Sequence, residues 1–168
     1  MNLRELFLPE YDQEMANTRR TLERVPEDRF TWKPHDKSMS MHQLASHLAT
    51  IPGYMGVTIG QDEFDVAPPG GKPYAAPTAE STKALLELFD KGVAEGRKAL
   101  ESADDELLGK PWALKRGGET MFSFPRFVVV RNFVLNHMVH HRAQLGVYLR
   151  ENDVPVPSIY GPSADESK

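Results

Sequence analysis

Cysteine is missing from this chain of 168 residues. Its absence removes disulfides, thiolate nucleophiles and cysteine metal ligands together. It also fits a reducing compartment. A basic stripe is missing too. The formal net charge is -4, and the runs Arg19-Arg20 and Lys115-Arg116 are too short to bind a polyanion. No nucleic-acid partner is expected. No run of about 18 apolar residues occurs, so no membrane span and no membrane partner are expected. The first residues, MNLRELFLPEYDQE, carry acidic side chains and lack a long apolar core, so they do not read as a signal peptide. A cytoplasmic location is the expectation. The GxGxxG loop, a Ser-His-Asp order and a paired-carboxylate spacing are absent as well, which argues against nucleotide, serine-hydrolase and glycosidase chemistry.

What is present is helical. The composition, 40% hydrophobic and 26% charged, suits one globular domain. The first helix is expected from about Leu3 to Val25, with Leu6, Tyr11, Met15, Thr18 and Leu22 along one stripe. The second begins after Ser40, a good N-cap, and runs to about Gly60, broken near Pro52-Gly53. Residues 61–77 include PPGGKP and read as a long surface connection. The third helix is expected from about Thr78 to Glu101. In 104–123 the pattern allows one short helical turn, then a small hairpin about Gly117-Gly118. The fourth helix is expected from about Ser123 to Asn152, with Pro125 in its first turn. Residues 1–157 form the expected domain, and 158–168, ending SADESK, the expected disordered tail. Four amphipathic helices and little strand signal predict an all-α four-helix bundle with a long connection between helices 2 and 3.

The six histidines separate by angle. With about 100° per helical residue, His141 lies about 40° from His137, in the sector of Val130, Val134, Leu145 and Tyr148. The i, i+4 spacing brings the two Cβ atoms to roughly 6 Å, close enough for two imidazoles to share one ion. His140 falls about 60° to the other side and ranks behind His141. On the second helix His47 shares a face with Leu44, Ile51, Tyr54 and Thr58, and His42 points away. His35 lies in a loop that sets no direction. A single inward histidine is commonly a satisfied core group. Three on two helices need strong partners, because each buried imidazole left unpaired costs about 1–3 kcal/mol. A metal ion and a set of core hydrogen bonds both answer that need.

The segment NHMVHHRAQLGVYLRENDVPVP, with His137, His141, Arg142, Gln144 and Tyr148-Leu149-Arg150, resembles the last helix of the DinB family, the DinB/YfiT-like metalloenzymes. The segment FTWKPHDKSMSMHQLASHLATIPGY, with Trp32, Pro34, Ser40 and His47, resembles the family's other marker. The resemblance implies an up-down-down-up bundle, a metal site of His47, His137 and His141, and a homodimer. It implies a divalent ion (nickel, zinc, iron or manganese). Relatives include thiol-dependent transferases and isomerases, and proteins described as metal-dependent hydrolases.

Three neutral ligands describe an open, catalytic ion. Such an ion supports transfer of a low-molecular-weight thiol to a small electrophile, the thiol coming from a cosubstrate because the chain has none. The alternatives are a hydrolase using metal-bound hydroxide and a non-catalytic metal-binding or stress-related protein. Tyr54, beyond His47, is a candidate catalytic donor, with a plain core tyrosine as its other reading. Gln144 is a candidate support for a ligand imidazole or a rim residue. Arg142, about 140° from His137, is expected to face a neighbouring helix or a dimer partner. Trp32 is expected to serve as packing.

Overall fold

The computed structural model describes residues 2–166. Helix α1 spans Leu3–Leu22 and opens on a capping box. The Asn2 side chain accepts from Glu5 N at 2.8 Å, and the Glu5 carboxylate accepts from Asn2 N at 3.1 Å. Pro9 lies within it without ending it. Helix α2, Met41–Thr50, has the same device in Ser40 and Gln43. Pro52 then separates it from α3, Gly53–Gly60, as the Pro-Gly pair predicts. Helix α4, Thr82–Ser102, starts at the N-cap Ser81, whose hydroxyl accepts from Ala84 N. It packs against α1, α2 and α3. The approach is close at Gly96, where a Cβ would lie 2.7 Å from the Pro52 carbonyl oxygen. The core between these helices is filled by residues such as Tyr11, Leu48, Ile51, Met55, Phe89 and Leu145, all at most 1% exposed.

The all-α four-helix bundle is overturned by a three-stranded mixed sheet. Strand β1, Glu63–Asp65, pairs in parallel with β2, Pro111–Arg116. Strand β3, Glu119–Pro125, pairs antiparallel with β2, giving the order β1-β2-β3. A short helix α5, Asp105–Gly109, precedes β2. Gly117 and Gly118 make the hairpin turn at φ +65° and +82°, a conformation that β-carbons disfavour. The hairpin lies where the Gly-Gly pattern allows one. Strand β1 is the part that the sequence hides. Three residues carry no measurable period, and its partner is 50 residues away, so its stability comes from non-local pairing. The stretch read as pure connection, 61–77, therefore contains a strand.

The register aligns one face of the sheet. Phe64 pairs with Leu114, Leu114 with Phe122, and Trp112 with Phe124. Alternation sends Glu63, Asp65 and Lys115 to the other face. Arg126 ties this sheet to the helices. Its side chain is 2% exposed and donates to four oxygens: Thr58 O at 3.0 Å, Pro111 O at 2.8 Å, Gln61 O at 2.8 Å and Asp62 Oδ1 at 2.6 Å.

The last helical stretch is not uniform. Helix α6, Arg126–Val129, leads into a π-helical segment, Val130–Asn136, and then into α7, His137–Glu151. Helix α7 packs against α1 and α2. Residues 158–166, for which composition predicts disorder, make specific contacts with α1 and α7; Ser167 and Lys168 lie outside the described residues. Glu166 pairs with Arg20 and Arg24, and Asp165 with Arg150. Arg142 faces α1, where its guanidinium meets Glu14 at 2.6 Å and donates to the Tyr160 hydroxyl at 2.5 Å. Among the described residues no helix is long and apolar enough to cross a membrane.

Candidate metal centre

Two adjacent helices, α2 and α7, each turn part of an apolar stripe toward the other, and the histidines sit in those stripes. His47 comes from the last turn of α2. His137 and His141 come from the first turns of α7. The three ring centroids are 4.6–4.9 Å apart. One ligand nitrogen from each lies within 4.8 Å of the other two. His47 Nε2 and His137 Nε2 are 3.1 Å apart. These are the three histidines that helix geometry selects.

The remaining histidines are elsewhere. His42 Nε2 lies 2.6 Å from the Ala79 carbonyl oxygen, and its ring stacks on Phe30. His35 Nδ1 accepts from Lys37 N. His140 is exposed and meets the edge of the His141 ring, with centroids 4.9 Å apart.

All three clustered imidazoles resist protonation. Burial lowers the His47 pKa to about 4, and the neighbouring His137 and His141 push in the same direction. Burial likewise lowers His137, against a raising contribution from the Phe133 carbonyl. It lowers His141 too, with the Gln144 hydrogen bond opposing. Near pH 7 the cluster is therefore neutral and offers lone pairs.

The outer nitrogens are tied down. Gln144 Oε1 accepts from His141 Nδ1 at 2.7 Å, and Phe133 O accepts from His137 Nδ1 at 3.3 Å. A proton held on Nδ1 leaves Nε2 free as a donor atom toward the centre of the cluster. The π-helical turn assists this arrangement. The His137 N–H bonds to Asn132 O instead of Phe133 O, so the Phe133 carbonyl is left for the imidazole. The donor set thus fits a divalent ion: three neutral nitrogens, those of His137 and His141 preset in tautomer, with no carboxylate or thiolate among them.

A cavity of about 210 Å³ opens at His47 and His137. The sheet face supplies Phe64, Trp112 and Leu114, and α3 supplies Tyr54, Val57 and Thr58. Val66 and Tyr74 close it from the connection after β1. Tyr54, picked out from the sequence, thus shares a cavity with His47 and Tyr74. Burial, with the Tyr54 hydroxyl beside it, pushes the Tyr74 pKa up to about 12. Trp32 lies apart, packed edge-on against Tyr148.

The sheet residues of this wall escape a helix-based reading of the sequence. Their signal is the alternation in EFD, WALKR and TMFSF, which places the aromatics on one face.

Fold and cluster together define a class: a helical scaffold with a small inserted sheet, carrying a three-histidine centre able to hold a metal ion. The chain belongs to the DinB family, whose family model matches residues 1–168. A DinB-like protein of known structure from Bacillus cereus superposes with a TM-score of 0.72 at 20% identity, over 93% of this chain and 97% of that one. Another, from Bacillus subtilis, gives 0.67 at 18% identity, over 90% and 95%. Likeness at these identities speaks to the fold. Comparison with curated proteins gives no match.

Proposed function

We propose that His47, His137 and His141 bind one divalent metal ion and that the chain is an enzyme transferring a low-molecular-weight thiol to a small electrophile. The observation that carries this reading is the convergence of three neutral imidazoles at the end of an apolar cavity. A structural site closes its coordination shell with protein ligands; three histidines leave positions for small molecules. An ion held there acidifies a thiol or water that coordinates it. Gln144 and the Phe133 carbonyl fix the orientation of the ligand rings. The apolar wall excludes water from the electrophile, and Tyr54 is the proposed hydrogen-bond donor to it. The reacting sulfur belongs to a cosubstrate, because the chain has no cysteine.

Elemental analysis of untagged protein tests the ligands. Wild type should carry close to one ion per chain, and His141→Ala far less. Equal, near-zero metal in both refutes the assignment. Metal-dependent consumption of a thiol by an electrophilic aryl halide tests the reaction. Metal-dependent ester cleavage with no thiol turnover would replace transfer with hydrolysis.

A further inference from the structure

The cavity beside the histidines is walled unevenly. Phe64, Trp112 and Leu114 stand on strands, and Val57 and Thr58 stand on α3. Backbone hydrogen bonding fixes these positions, and Trp112 and Thr58 are almost fully buried. Tyr74 differs. It lies in the connection after β1, within residues 68–78, all of them exposed. Its backbone N–H donates to Val66 O at 2.8 Å. Its ring meets that of Phe64 edge-on, with centroids 5.3 Å apart, and 43% of the residue faces solvent. Tyr74 is therefore the wall between the cavity and the outside.

The helices place that wall relative to the histidines. Ile51 and Pro52 keep helical dihedrals, so the chain continues to rise from α2 into α3. Tyr54, seven residues after His47, stands about two turns, roughly 10 Å, beyond it. The Tyr54 hydroxyl lies beside Tyr74. The histidines thus mark one end of the cavity, and Tyr54 with Tyr74 marks the other. The space between has a volume of about 210 Å³. An engineered apolar cavity of roughly 150 Å³ admits benzene, so by proportion this one holds roughly eight carbon atoms.

We propose that this space receives the hydrocarbon part of the substrate and that Tyr74 determines specificity, its ring setting the longest chain admitted. Affinity comes from apolar surface removed from water, so it grows with each methylene until the chain meets that ring. Beyond that length an added methylene stays in water and contributes nothing. That the occupant is the electrophile of the reaction rests on the metal-enzyme reading above. That the cavity admits a hydrocarbon chain, and that Tyr74 limits it, does not.

Straight-chain primary alcohols from 1-butanol to 1-decanol test this on the full chain as purified, with amide chemical shifts followed in each titration. Wild type should bind them saturably. Affinity should rise about fourfold per methylene, the factor for about 0.8 kcal/mol, and stop rising near eight carbons. Tyr74→Ala should carry the rise on to 1-decanol and leave 1-butanol within about twofold. Tyr74→Phe should keep the wild-type limit, because the ring and not the hydroxyl is the stop. Val57→Phe, which fills the cavity, should weaken every alcohol tenfold or more. No saturable binding, a rise that continues unbroken to 1-decanol in wild type, the same limit in Tyr74→Ala, or binding that Val57→Phe leaves unchanged overturns the proposal. Metal content measured on the same samples separates the two readings. A limit set by Tyr74 in protein that holds no metal refutes the proposed function alone; metal-loaded protein without that limit refutes this inference alone.

Discussion

Replacing Arg126 by methionine tests whether one buried side chain fastens the sheet to the helices. The guanidinium serves three backbone carbonyls, those of Thr58, Gln61 and Pro111, and one carboxylate, that of Asp62. Methionine keeps much of the volume and removes every donor. Asp62 is 94% exposed and returns to water at little cost. The carbonyl of the buried Thr58 fares worse, since an unsatisfied buried acceptor costs about 1–3 kcal/mol, whereas Gln61 and Pro111 are exposed residues and lose less. Recovery of the arginine's own desolvation penalty offsets part of this loss. The net destabilisation is therefore expected to be about 2 kcal/mol, carried mainly by the Thr58 carbonyl. Urea unfolding of metal-free protein measures it, as a lower midpoint with an unchanged slope. Asp62→Asn is the internal control and should cost less than about 1 kcal/mol, because its side chain is exposed. A loss below 1 kcal/mol for Arg126→Met, or an Asp62→Asn loss equal to it, would refute this account of how the sheet is held.

Two further outcomes follow from the structure. Gly96→Ala should destabilise by about 1–3 kcal/mol, because steric overlap with the Pro52 carbonyl outweighs the roughly 1 kcal/mol gain in helix propensity; a raised melting temperature would contradict this. The metal-free protein should lose stability as pH falls from about 6.5 toward 4. The unfolded chain binds protons in that window and the folded His47, with its pKa near 4, does not. His137 and His141 shift in the same direction. His47→Gln should flatten the decline, and identical slopes in both proteins would rule out the cluster as its source.

Capping and periodicity located the main helices well. Ser40 is a local device, visible in local sequence, and the first helix shows in its apolar spacing; the Asn2–Glu5 capping box that starts it is seen in the structure. The i, i+4 spacing of His137 and His141 is visible for the same reason. The π-helical segment is not: its sequence, VRNFVLN, has nothing that distinguishes it from an α-helical run, and it depends on the packing around it. Strand β1, which turns the expected hairpin into a mixed sheet, is hidden for a related reason. It is only three residues long, and its alternation is too brief to register against the surrounding Pro- and Gly-rich stretch. Nothing local marks Arg126 either; only the fold places four oxygens around it.

By itself, then, the sequence determined the absence of a protein thiol, the helices that carry the centre, and the choice of His47, His137 and His141 over their neighbours. These follow from composition and from the fixed rotation per helical residue. Tertiary structure alone decided the parallel strand that makes the sheet mixed, the tautomers set by Gln144 and Phe133, and the apolar cavity beside the histidines. These depend on contacts between segments far apart in the chain, such as Phe64 beside Leu114, which no local pattern encodes.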